Sequence, residues 1–101
     1  MTRLGLWNNT LLAVTADHGE EFGDHGGYGH ANRPLHEEII RVPLVICHPG
    51  GRAAAGRRTP APFEQIDLLP TLADIEGWAL PAGVEGRSQK AVLEGGAAAE
   101  R

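Results

Sequence analysis

The sequence has a single cysteine, Cys47, which excludes an internal disulfide and a Cys-rich zinc centre. It has a single lysine, Lys90, and its 9 basic residues face 13 acidic ones, for a net charge of −4. No basic face is left to follow a phosphate backbone, so general nucleic-acid binding is excluded. No apolar run approaches the roughly 18 residues of a membrane span. The first nine residues, Met1 to Asn9, are too short and polar for a signal peptide, so nothing in the sequence as written exports the chain; it reads as cytoplasmic only as written, and the compartment is left unknown. Aromatics make up only 5% of residues, and Trp7, Phe22, Tyr28, Phe63 and Trp78 form no stripe, so each is read as packing.

What is present is ordinary globular composition, 42% hydrophobic and 22% charged. The 101 residues hold one small domain with a thin core. Thr10 to Thr15 and Val42 to Cys47 are short, nearly unbroken apolar runs, which read as buried strands of a largely parallel sheet. Pro43 is tolerable only near the start of its strand. Between them, Gly19 to Arg33 carries five glycines and reads as a long functional loop, followed by a short helix over residues 34–41. Asp67 is expected to cap a helix with Leu68, Leu69, Leu72, Ala73 and Ile75 on one side and Gly77 closing it. The segment 79–88 is turn-rich, residues 1–94 form the domain, and residues 95–101 are expected to fray.

The chemistry concentrates in Thr15-Ala16-Asp17-His18-Gly19. Asp17 and His18 directly follow a strand, and in open α/β sheets ligands bind at the carboxyl ends of strands. A carboxylate beside an imidazole suits Zn²⁺ or Mn²⁺, and Ca²⁺ less well because it prefers oxygen shells. On the residues alone the pair reads equally as a loop-capping carboxylate beside an ordinary histidine. Glu20, Glu21, Glu37 and Glu38 read as solvated or as helix-terminus acids. Cys47 begins a Cys-His-Pro sequence but reads as a core residue.

Four ordered segments resemble the carboxyl-terminal part of sulfatases, which belong to the alkaline phosphatase superfamily. They are the run from Thr15 to Gly26, the segment from Leu35 to Ile46, the piece from Ile66 to Ile75, and Gly83-Val84-Glu85-Gly86-Arg87-Ser88 with its G-x-x-G-x-S pattern. The resemblance spans residues 3 to 94. It implies an α/β fold, part of an alkaline-phosphatase-like mixed sheet with flanking helices, truncated on the amino-terminal side. It also implies one divalent ion with Asp17 and His18 as ligands, Ca²⁺ by family default, with Mn²⁺ or Zn²⁺ open because His18 stands where many sulfatases have Asn. His30 occupies the place of a lysine that contacts the substrate's anionic oxygens, which implies substrate binding and a catalytic proton role for His30. His25 fits a structural turn of the family.

The implied activity is hydrolysis of sulfuric esters. The alternatives are a related phosphate or phosphonate ester hydrolase, a phosphoethanolamine transferase, or a non-enzymatic remnant. Neither the family's C-x-P-S-R nucleophile motif nor its strand with paired aspartates occurs in this sequence, and the Cys47 stretch aligns with a strand exit where no nucleophile belongs. The expected partners are an anionic ester and the amino-terminal half of the catalytic domain, supplied in cis or in trans. The isolated chain is expected to be inactive, and Leu11, Val14, Leu44 and Ile46 are expected to be only partly covered.

Overall fold

The computed structural model describes residues 2–19, 21–22, 28–29, 40–49 and 56–96. The chain divides into two units, Met1–Pro49 and Gly50–Arg101. In the first, Thr2–Leu4 and Leu6–Asn9 form two 3₁₀ turns. Gly5 separates them at φ 65°, a left-handed conformation open to glycine.

Strand β1, Leu12–Thr15, follows. A second ladder joins β2, Glu21–Phe22, to β3, Tyr28–Gly29, in antiparallel register. Part of the glycine-rich stretch read as a long functional loop is therefore a short β-ladder. Strand β4, Leu44–Cys47, pairs antiparallel with β1, placing Leu12 opposite Cys47, Ala13 opposite Ile46, Val14 opposite Val45 and Thr15 opposite Leu44. The expectation of parallel neighbours fails for this pair. Unbroken apolar runs signal burial on two faces but do not encode strand direction, and the long connection between the strands suits either arrangement.

One face of this ladder is open. Val14 and Val45 are 51% and 58% exposed, with Leu12 and Cys47 exposed on the same side. Leu11, Leu44 and Ile46 are half-buried, as expected for partial cover. Cys47 is thus not the core residue expected, because alternation along β4 sends it outward with Val45. Trp7 and Trp78 also depart from the packing expectation, at 41% and 60% exposed. The helix expected over residues 34–41 lies outside the described residues apart from its end at Ile40 and Arg41.

In the second unit a 3₁₀ turn, Gln65–Asp67, runs into helix α1, Leu68–Glu76. Pro70 fits the first turn, where its missing N–H has no intrahelical partner to lose. Gly77 ends the helix at φ 73°, and the Trp78 N–H reaches back to the Ala73 carbonyl at 2.8 Å, closing a glycine-terminated cap. Of the side expected to be apolar, Ala73 is buried while Leu69 is 49% exposed. A one-turn helix α2, Lys90–Leu93, follows the segment 79–88.

The centre of this unit is polar. Asp67 and Thr71 are fully buried and Gln89 is 2% exposed. Asp67 stands at the N-cap of α1 but makes no side-chain cap bond there, contrary to expectation. Its carboxylate instead accepts the Glu64 N–H at 3.1 Å and the Arg87 N–H at 3.0 Å, with Gln89 Nε2 at 3.5 Å. The Thr71 hydroxyl donates to the Asp67 carbonyl at 2.6 Å and accepts the Gln89 N–H at 3.0 Å. A buried carboxylate is tolerable only when hydrogen-bonded in this way. The G-x-x-G-x-S segment thereby acquires a structural role. Gly86 lies so close to the Ile66 carbonyl that a Cβ there would overlap it, and the Ser88 hydroxyl donates to the Asp74 carboxylate.

Candidate metal site

Thr15 ends β1, and the chain turns at Asp17. The His18 N–H donates to Asp17 Oδ1 at 2.9 Å, so the carboxylate folds back over the next residue. Its other oxygen, Oδ2, lies 3.6 Å from His18 Nε2. The Asp17 side chain is 88% exposed and that of His18 38%. His18 Nδ1 lies 2.9 Å from the Gly19 carbonyl oxygen. A carbonyl can only accept, so in the neutral ring this contact selects the tautomer with its proton on Nδ1 and the lone pair on Nε2.

The donor set fits a divalent ion. At ligand bond lengths of about 2.0–2.4 Å, two donors on one ion sit about 3–4 Å apart, the range in which Oδ2 and Nε2 lie. A ring nitrogen whose partner nitrogen is held by a backbone carbonyl has the usual second-sphere support of a metal-binding histidine. Two donors do not complete a coordination shell, and among the described residues no group of three or more His, Cys, Asp or Glu is gathered.

The other sequence-derived candidates distribute differently. His30 and His25 lie outside the described residues, as do Glu20, Glu37 and Glu38; Glu21 is placed in β2 by its backbone. Sequence reasoning missed the Thr15 hydroxyl, which donates to the Pro43 carbonyl at 2.8 Å and joins the end of β1 to the residues leading into β4.

Comparison with known proteins gives this geometry its setting. The family model described as Sulfatase matches residues 1–77. The chain is 34% identical over 94 residues to an N-acetylglucosamine-6-O-sulfatase of Bacteroides thetaiotaomicron, covering 93% of this chain and 16% of that protein. It is 38% identical over 84 residues to the multifunctional alkaline phosphatase superfamily protein PehA of Trinickia caryophylli, covering 83% and 16%. The solved structure of a phosphonate monoester hydrolase from Silicibacter pomeroyi superimposes with a TM-score of 0.86 at 37% identity, covering 99% of this chain and 19% of that one. Fold and sequence together define an alkaline phosphatase superfamily protein. Within that class, the chain belongs to the sulfatase family. It spans less than a fifth of the length of these relatives.

Proposed function

We propose that this chain forms part of the catalytic domain of a metal-dependent sulfuric ester hydrolase. The observation that carries the reading is the placement of Asp17 Oδ2 and His18 Nε2 3.6 Å apart just beyond β1. In this reading Asp17 and His18 hold one divalent ion, with Ca²⁺, Mn²⁺ and Zn²⁺ all compatible with a mixed carboxylate and imidazole pair. Such an ion, when bound, supplies Lewis-acid polarisation of an ester oxygen.

The remaining roles fall to side chains. The Gly19 carbonyl orients the His18 ring, and the His18 N–H holds the Asp17 carboxylate in place. His30 contacts the anionic oxygens of the ester or protonates the leaving group, a role suited to an imidazole near neutral pH. The nucleophile and the further ligands come from the rest of a sulfatase domain, in cis or in trans. The substrate class is a small anionic ester.

A second reading, hydrolysis of a phosphate or phosphonate ester, is favoured by the phosphonate monoester hydrolase neighbour. One experiment separates the two. Protein recovered from its native host with an antibody to α1 is assayed on 4-nitrophenyl sulfate and on 4-nitrophenyl phenylphosphonate, with and without a chelator. Chelator-sensitive hydrolysis with preference for the sulfate is expected. Preference for the phosphonate selects the second reading, and absence of turnover on either ester contradicts both.

A further inference from the structure

The β1–β4 ladder stops at the pair Thr15 and Leu44, and Pro43 stands immediately before Leu44. A proline has no N–H, so no rung can be donated from that position. Beside the last paired residues the Thr15 hydroxyl donates to the Pro43 carbonyl at 2.8 Å.

We propose that Thr15 is a positioning residue for the Asp17–His18 pair, its hydroxyl tying the end of β1 to the Pro43 carbonyl. This rests on the reading of that pair as a metal site. Had β1 continued through residues 16 to 18, successive side chains would point to opposite faces and Asp17 and His18 would be separated. The ladder instead stops at a fixed residue. Two positions later the chain bends at Asp17, and the two donor atoms lie 3.6 Å apart. Threonine suits the task because its branched β-carbon restricts χ1 and so holds the hydroxyl in one direction. Thr15 and Pro43, 28 residues apart in sequence, act as one device that sets where the strand ends and the site begins.

The test uses the whole 101-residue chain with Thr15→Val, which keeps the branching and removes the donor, and Thr15→Ser, which keeps the donor. Mn²⁺ affinity is read by electron paramagnetic resonance. The His18 tautomer is read from its imidazole nitrogen shifts, and the amide shifts of Ala13 and Ile46 report the ladder. Thr15→Val is expected to weaken Mn²⁺ binding about five- to tenfold, near the lower end of second-sphere effects, and to mix the two His18 tautomers. The ladder amides stay in place, and Thr15→Ser restores both readouts. Unchanged affinity and tautomer in Thr15→Val overturn the proposal. Collapse of the ladder amides in that variant also overturns it, because Thr15 would then be a residue of general stability. If the wild-type chain binds no Mn²⁺ while the tautomer effect persists, the metal reading fails and the positioning role of Thr15 stands.

Discussion

At residue 86 the backbone passes so close to the Ile66 carbonyl, with the Asp67 nitrogen 2.9 Å from where a Cβ would sit, that a methyl group has no room. Both neighbours are backbone and cannot swing aside. Gly86→Ala is therefore expected to destabilise the second unit by about 1–3 kcal/mol, the usual range for overpacking, read as a lowered urea midpoint. Asp67 is the complementary case. Asp67→Ala removes the charged acceptor of the Glu64 and Arg87 N–H groups, part-buried bonds of a kind worth about 1.5–3 kcal/mol each. Loss of cooperative unfolding of α1, followed by circular dichroism, is the expected outcome, and a midpoint equal to wild type would contradict the buried-network description. The importance of Asp67 was visible in the sequence, but its role was not. A cap position can be read from local pattern, whereas a carboxylate that reaches residues 87 and 89 depends on contacts 20 and 22 residues away. Thr71 and Gln89 were invisible for the same reason.

Helix α1 was the element most legible in advance, because its stop signal is local. Gly77 adopts φ 73°, and replacing it with alanine is expected to cost about 1 kcal/mol, measurable by urea unfolding. Strands β1 and β4 were legible as strands from their apolar runs. Their direction was not, because a hydrophobic run is the same read parallel or antiparallel. Their partial cover followed from the small size of the chain, while the outward turn of Cys47 did not, because a lone cysteine in an apolar run reads as core. Helix α2 escaped notice since Lys90–Leu93 is a single turn, too short to show a 3.6-residue period. The open face of the β1–β4 ladder has its own consequence. Exposed apolar strand faces promote association, so Val14→Thr with Val45→Thr should reduce self-association of the 101-residue chain, followed by sedimentation velocity. Association equal to wild type would assign it to another surface.

For the whole molecule, the decisive proportion is that between 16% and 19% of each compared relative is matched by this chain. Family membership was readable from four ordered motifs, since motif spacing survives where individual contacts do not. Of the candidate site, the sequence singled out the neighbours Asp17 and His18, whose Oδ2 and Nε2 lie 3.6 Å apart. Further ligands of such an ion are not legible in local pattern, because ligands of one ion are gathered by the fold from distant parts of a chain. With no C-x-P-S-R motif in its sequence, the 101-residue chain alone is expected to show no turnover of 4-nitrophenyl sulfate with any of Ca²⁺, Mn²⁺ or Zn²⁺. Activity above the buffer blank would contradict that expectation. The central claim, that Asp17 and His18 act together on one ion, is tested most directly by calorimetric titration of the chain with Zn²⁺, Mn²⁺ and Ca²⁺, alongside Asp17→Ala and His18→Ala. The account requires saturable binding of one ion per chain for at least one metal, weakened at least about tenfold by either substitution. Binding that is absent in the wild-type chain, or equal in all three proteins, would contradict it.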